Sequence, residues 1–496
     1  MPNLNFVGKS KVVNHYRDVS FRFLERQYGS SENMIIHGDN LLALRSLLAT
    51  HRGKIKCIYI DPPYNTGNEN WIYNDNVNDP EIKTWSGKVV GDEETDLNRH
   101  DKWLCMMYPR LRLLHELLSD DGAIFISIDY NENYNLRSIC NEIFGELNFI
   151  GEIYWESKTK SQNTITAFNK LQPKMEMILV YSKNPKRKFN LISAGQKIYD
   201  LQDARGMYRE HQLEFMNAKG MRGRESMVFD ITIGEKTISP PEGRQWKIGI
   251  ESVEKYKQAG DLFERDGKIF IKMRPEYERV EKTEPFWGFF SKEIGTAESA
   301  KKELSAILSN HNFETVKPVN LIKRLIFHAT DPDSIILDAF AGSGTTGQAV
   351  IELNREDHGS RKFILIELMD YCESITAERV RRVGGDFSFY ELGDPIFIED
   401  QLNPNLSRDQ FRRYLFYSET KKEIPPMNPD EPTLLGIHDG IAYHLIDGDL
   451  NFNSLAQIKT RAESYVIFAE SCTISQETRD QFKIIFRKIP RDIRRI

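Results

Sequence analysis

Cysteine is scarce. The 496 residues contain five, at positions 57, 105, 140, 372 and 472, with no Cys-x-x-Cys pair. Such scatter offers neither a disulfide framework nor a zinc site, so no metal is expected, and the count suits a reducing, cytoplasmic setting. Long apolar runs are missing as well. No stretch approaches the ~20 consecutive apolar residues that a membrane span requires. The N-terminal Met1-Pro2-Asn3-Leu4-Asn5 has no apolar core of a secretory leader. Neither a leader nor a membrane partner is expected. An excess of positive charge is absent too, the net charge being −6 and the pI about 6.1. A nucleic-acid partner would therefore have to be met by basic residues gathered locally. With 28% charged and 40% hydrophobic residues the composition is that of a globular protein. The length calls for two or three domains.

One stretch organises the rest: Cys57-Ile58-Tyr59-Ile60-Asp61-Pro62-Pro63-Tyr64-Asn65-Thr66-Gly67. The apolar run from Ile55 to Ile60 predicts a buried strand. Two prolines, with fixed φ and no N–H, stop it just after an acid. A stiff turn at the carboxyl end of a strand is where open α/β sheets place ligands. Its groups suit a planar base carrying an amine. Asp61 can accept one amine N–H, the Pro62 carbonyl the other, and Tyr64 can stack on the ring.

Ahead of this turn, Met34-Ile35-Ile36-His37 reads as a strand. Gly38-Asp39-Asn40 follows, with Asp39 placed as N-cap of a helix over 41–50. Residues 1–30 mix aromatic and basic side chains and read as an arm or short helix on the main domain. Residues 68–98 form a long Asn/Asp/Gly-rich loop containing Trp71, Tyr73 and Trp85, suited to a lid over an extruded base. A helix is predicted over 99–118 with Pro109 inside it, ended at Asp120-Asp121-Gly122. A buried strand over 123–129, a helix over 131–144 and strands near 150–155 and 175–182 complete a parallel, doubly wound pattern. Basic residues cluster between 155 and 190 (Lys158, Lys160, Lys170, Lys174, Lys183, Lys186, Arg187, Lys188), faced only by Glu156 and Glu176. They form either a solvated face or a phosphate-tracking surface. Residues 190–310 lose the alternation and read as an irregular insertion.

The second half of the site begins at Lys317-Pro318, which opens a helix. A strand, Ser334-Ile335-Ile336-Leu337-Asp338, runs into Ala339-Phe340-Ala341-Gly342-Ser343-Gly344-Thr345-Thr346-Gly347 and then a helix. Strand, glycine turn, helix is a nucleotide-binding arrangement. No lysine follows the glycines, which disfavours a phosphate loop. The next strand ends in Glu367, 25 positions after Gly342, near the ~20 at which an acid reaches ribose hydroxyls. A ligand with a ribose but no phosphate fits S-adenosylmethionine. Its carboxylate would meet the helix N-terminus, and its ammonium Asp338. Beyond 400, turn-rich segments enclose a helix over 408–417 and strands near 441–446 and 465–468.

Asp61-Pro62-Pro63-Tyr64 resembles the catalytic signature of the DNA amino-methyltransferases, and the longer Asp-Pro-Pro-Tyr-Asn-Thr-Gly form resembles the modification (Mod) subunits of type III restriction–modification systems. Phe-Ala-Gly-Ser-Gly-Thr-Thr is similar to the cofactor signature of the same enzymes, and its position after the catalytic motif is the β order of that family. The resemblance implies a Rossmann-like class I methyltransferase sheet with an inserted target-recognition region and a small α+β C-terminal module. The boundaries it suggests are an arm at 1–30, a catalytic half at 31–182, a recognition region at 183–312, a cofactor half at 313–400 and an assembly module at 401–496. It implies catalytic roles for Asp61, Pro62, Pro63 and Tyr64. It places Asp39, Lys317, Phe340, Gly342, Gly344, Thr345 and Glu367 at the cofactor, beside the Asp338 already assigned there. The implied reaction is methylation of adenine N6 in double-stranded DNA, on a flipped-out base. Asp61 at the head of the motif favours adenine over cytosine N4. A homodimer and a restriction subunit as partner are implied too. The alternatives are a cytosine-N4 or RNA methyltransferase, or a non-catalytic DNA-recognition subunit. Intact Asp61, Tyr64, Gly342 and Gly344 speak against the last.

Overall fold

Five apolar runs build the centre of the fold, and their side chains are buried on both faces, as parallel strands require. In the computed structural model, which describes residues 4–65, 96–159, 171–220, 222–309, 311, 313, 315–398, 401–422 and 424–493, these runs are part of one ten-stranded sheet. Its strands in chain order are β1 Arg22–Tyr28, β2 Met34–His37, β3 Ile55–Ile60, β4 Leu118–Ile128, β5 Phe149–Glu156, β6 Met175–Ser182, β7 Phe289–Phe290, β8 Ile335–Asp338, β9 Lys362–Glu367 and β10 Ser388–Pro395. The spatial order is β1-β10-β2-β9-β8-β3-β4-β6-β5-β7. From β10 to β4 all neighbours are parallel. The helices that wind around them are α1 Asn40–His51, α2 Asp96–Leu117, α3 Asn133–Phe144, α4 Ala297–Ile307, α5 Val319–Ala329 and α6 Thr345–Asp357.

The sheet is not parallel throughout, as the alternation suggested. β6 runs antiparallel to both β4 and β5, and β1 antiparallel to β10. The N-terminal arm thus supplies an edge strand, preceded by two short helices. The predicted helix end at Gly122 also differs. α2 stops at Leu117 and β4 begins at once, with a register shift between its pairings to Ile55 and Cys57. Gly122 serves this irregularity: a Cβ there would lie 2.7 Å from the Leu118 side chain and 2.9 Å from the Ile55 carbonyl. Most of the loop predicted over 68–98, with Trp71, Tyr73 and Trp85, lies outside the described residues, as do Lys160 and Lys170.

The chain divides into two compact units, one formed by Met1–Asn190 with Trp287–Ile496, the other by Leu191–Phe286. The second unit is narrower than the 183–312 boundaries suggested. Residues 183–190 are tied to the first unit, where the Asn190 N–H donates to the His328 carbonyl at 2.8 Å. Residues 287–312 contribute β7 and α4 to that unit. The second unit is β-rich, with its own core around Trp246, Val253, Ile269 and Ile271. Much of its cationic side-chain complement is consumed internally. Arg274, 1% exposed, bonds Asp261 and Asp203 at 2.7 and 2.8 Å, and Arg209 forks onto Glu278 at 2.7 and 2.8 Å.

The C-terminal segment adds helix α7, Arg408–Thr420, and a four-stranded sheet. Three of those strands, Ile441–Leu445, Ser464–Ala469 and Ile484–Lys488, are parallel, so the module is more α/β than the expected α+β. It shares a core with the main sheet. Phe21 stacks on Tyr417 with ring centroids 5.7 Å apart and also meets Tyr414 at 5.7 Å. Phe21→Ala empties that joint and is expected to lower stability by about 3–5 kcal/mol, read as an earlier urea midpoint; an unchanged midpoint would mean that the module does not depend on this packing.

Candidate active site

Parallel register brings the two motifs together. β8 lies between β3 and β9, with Leu337 opposite Ile58 and Asp338 opposite Leu365. From β8 the chain proceeds to β9 on one side, and from β3 to β4 on the other. That is a topological switch point, where the carboxyl ends of strands open a crevice. The Asp61 turn leaves β3 at this point and the glycine turn leaves β8 beside it. β2 joins through the side-chain amide of Asn40, which donates to the Ala339 carbonyl at 2.7 Å.

The Asp61 turn is held from outside the motif. The Trp103 indole, on α2, donates to the Pro63 carbonyl at 2.7 Å, and not to that of Pro62. Asn65 takes a left-handed φ of +56°. It is fixed there by its side-chain amide, which donates to the fully buried Glu132 and to the Arg99 carbonyl. Glu132 also accepts from Asn135 at 2.8 Å and lies 2.6 Å from His100 Nδ1.

At the mouth of the turn a single ammonium meets two carboxylates. Lys317 Nζ donates to Asp61 Oδ1 and Oδ2 at 2.9 and 2.8 Å and to the Tyr64 hydroxyl at 2.8 Å, and lies 3.3 Å from Glu176 Oε2. The Tyr64 hydroxyl stands 2.9 Å from Asp61 Oδ1 and 3.1 Å from Glu176 Oε2. Burial opposes the charge on Lys317, but Asp61 and Glu176 outweigh it and the lysine pKa is raised. Burial likewise acts to raise Glu176, but Lys317 holds its carboxyl below the usual range. Burial, with the two carboxylates, pushes the Tyr64 phenol well above its ordinary value, so it remains a donor. Lys317, expected near the cofactor, thus sits against Asp61 and Tyr64.

The other expected cofactor residues gather on the β8 side. Gly342 has φ +52° and Gly344 φ +80°. A Cβ at Gly344 would strike the Thr376 carbonyl at 2.9 Å, whereas one at Gly342 would meet nothing nearer than the Phe313 ring at 3.8 Å. The second glycine is needed for fit within the protein, and the first leaves a cradle. Phe313 stands T-shaped against Tyr371 beside it, centroids 4.9 Å apart. Glu367, nearly fully buried, accepts from the Gly342 N–H at 2.7 Å and the Met369 N–H at 3.0 Å. Burial pushes it up to about 7 against those bonds. Asp338, also pushed up to about 7 by burial, is spent on the turn itself: it accepts from the Phe340 N–H at 3.0 Å and the Thr346 hydroxyl at 2.5 Å. Phe340 is buried in the core. Thr345 accepts from the buried Arg379 at 2.8 Å.

Asp39 behaves differently. Its Oδ1 caps α1 through the Leu41 N–H at 2.6 Å and accepts from Arg110 at 3.0 Å, but its buried Oδ2 has no hydrogen-bond partner among the described residues. An orphaned carboxylate oxygen, a cradle at Gly342 and an acid at the tip of β9 fit an amino-acid-bearing nucleoside.

Sequence reasoning missed Glu176, Trp155, Trp103, Glu132, Arg110 and Phe313. Glu176 was legible only as a counter-charge in a basic run. Its pairing with β5 places it directly opposite Trp155, but β6 is buried continuously from Ile178 to Ser182, so no alternation marked it in the sequence. The basic run itself breaks up. Lys174 pairs with Glu156 at 2.6 Å, Lys183 donates to the Leu118 carbonyl at 2.8 Å, and Arg187 is bound to the Asp121 and Ala329 carbonyls.

The family described as DNA methylase (N6_N4_Mtase) matches residues 55–378. Among curated proteins, the chain is 33% identical to the Mod subunit of the type III restriction–modification enzyme StyLTI of Salmonella typhimurium, over 68% of this chain and 52% of that one. It is 32% identical to the EcoPI Mod subunit of Escherichia phage P1, over 68% and 58%. It is also 32% identical to the type II methyltransferase M.KpnI of Klebsiella pneumoniae, over 68% and 81%. The chain therefore spans somewhat more than half the length of the Mod relatives.

The indole bond to Pro63 makes a direct test of how the turn is held. Trp103→Phe leaves a buried carbonyl without its donor and is expected to cost about 1–3 kcal/mol, measured by urea unfolding. A loss within error of zero would show that the prolines hold the turn unaided.

Proposed function

Because the chain belongs to the N6/N4 DNA methylase family, we propose that it is an S-adenosylmethionine-dependent, sequence-specific DNA methyltransferase that acts on adenine N6. The observation that carries this reading is the meeting of Asp61-Pro62-Pro63-Tyr64 and the glycine turn at one switch point of one sheet. Bound there, the cofactor supplies an electrophilic methyl group. Asp39, Gly342, Gly344 and Glu367 would hold it: Asp39 Oδ2 takes the ammonium, and Glu367, at the tip of β9, takes the ribose hydroxyls. Phe313 and Tyr371 would wall the base. Lys317 belongs with the acceptor side.

The protein's own part is to hold and desolvate. Asp61 accepts one N–H of the target amine, the Pro62 carbonyl the other, and the nitrogen lone pair is left to attack. Most of the acceleration comes from placing reactants and excluding water. The target must leave the helix stack, at a cost of a few kcal/mol. In the Leu191–Phe286 unit, Lys219, Arg222, Arg224 and Arg244 are in no ion pair among the described residues, which suits them to phosphate contact. A restriction subunit as partner belongs to the same reading, supported by the Mod subunit names of the relatives, and a homodimer is proposed with it.

Incubation with labelled cofactor and duplex DNA, followed by identification of the modified nucleoside, is expected to give N6-methyladenine. Cytosine or RNA products would overturn that assignment. Asp61→Ala is expected to lower transfer at least about 1,000-fold while cofactor binding persists.

Glu367 gives a pH signature. Burial pushes its carboxyl up to about 7, and ribose donors favour the ionised form, so binding lowers that pKa. Affinity for the cofactor is thus level above about 7 and falls up to ~10-fold per pH unit below it. Calorimetry across this range, with Glu367→Gln flattening the profile, checks the sign.

A further inference from the structure

The catalytic corner carries one more carboxylate than its lysine needs. Lys317 already spans both oxygens of Asp61, at 2.9 and 2.8 Å. Those are the acceptors that the target amine must reach if Asp61 grips it, and this inference rests on that reading. For the amine to enter, the ammonium has to release at least one of them. A buried lysine stripped of its partner is costly. Glu176 removes that cost, because its Oε2 stands 3.3 Å from the same ammonium. Glu176 belongs to β6, directly opposite Trp155 on β5. Trp155 is 1% exposed and fixed by its indole, which donates to the Gly295 carbonyl at 2.8 Å. Its ring lies 5.9 Å from Lys317 Nζ. The Tyr64 hydroxyl, within reach of either carboxylate, can follow the shift by rotating one proton.

We propose that Glu176 is a positioning residue for Asp61: it takes Lys317 as the target amine arrives, so that Asp61 faces the amine with its charge uncompensated. The demand is electrostatic. The nitrogen lone pair forms the new N–C bond, the pair of the broken C–S bond stays on sulfur, positive charge appears on nitrogen, and one N–H proton passes to Asp61. A carboxylate neutralised by lysine does little for that charge, whereas two carboxylates sharing one lysine leave a net negative charge at the nitrogen.

The test is Glu176→Gln, which keeps the shape and removes the charge. Transfer is expected to fall about 10- to 100-fold in kcat, while the cofactor Kd from calorimetry stays within about twofold and the unfolding midpoint holds. In that background Lys317→Met is expected to restore activity several-fold, since the ammonium then no longer neutralises Asp61; a bystander role for Glu176 gives no such rescue. Wild-type kcat in Glu176→Gln, or a double variant no better than the single, overturns the proposal. Asp61→Ala separates the two failures. If that variant still methylates, the reading of Asp61 falls. If it is inactive while Glu176→Gln is unaffected, only the role of Glu176 falls.

Discussion

The ammonium of Lys317 is the point at which three distant parts of the chain become one site. Asp61 ends β3, Glu176 begins β6, and Lys317 precedes α5, yet all three meet within 3.3 Å of one nitrogen. Two unit charges ~4 Å apart attract by about 4 kcal/mol at an effective dielectric of 20. The partial exposure of Asp61 returns some of that through screening. The pair therefore does not hold the fold together, which the buried strands do. What it depends on, and reports, is register: were β8 shifted by one residue between β3 and β9, its faces would invert and the glycine turn would leave the sheet elsewhere.

The acids of the crevice divide by their cations. On the acceptor side, Lys317 holds Glu176 below the usual range, and two carboxylates share that one ammonium. On the cofactor side Asp338 and Glu367 are buried with only backbone and hydroxyl donors recorded, and both are pushed up to about 7. Burial with no cation at hand among the described residues is the common cause. One half of the crevice carries its own counter-ion and the other does not.

Much of this was readable in advance, and the limits are physical. Ile55–Ile60, Ile335–Asp338 and Lys362–Glu367 declare themselves because a strand buried on both faces must be uniformly apolar, and prolines or glycines end two of them. Asp61, Gly342 and Glu367 were legible because few residue types can do what a strand tip there demands. The direction of β6 was not, since an antiparallel partner and a parallel one bury the same side chains. Glu176 was hidden for a related reason. Its meaning lies in a lysine 141 positions away, and in sequence its nearest charged neighbour, Lys174, points to a different acid, Glu156. Gly122 was read as a helix end because glycine serves close approach and chain reversal alike.

The motif residues do not hold themselves. Two prolines fix φ but give up their N–H groups, so the Asp61 turn cannot be tied back into the sheet by its own backbone donors. α2 provides what is missing. Trp103 binds the Pro63 carbonyl, His100 meets Glu132, which receives Asn65, and Arg110 reaches across to Asp39 and Asn40 at the tip of β2. One helix therefore braces the acceptor turn with its first half and the Asp39 tip with its second. The helix, with Pro109 between the two sets of contacts, spans the two halves of the crevice. That bracing is encoded outside both signatures.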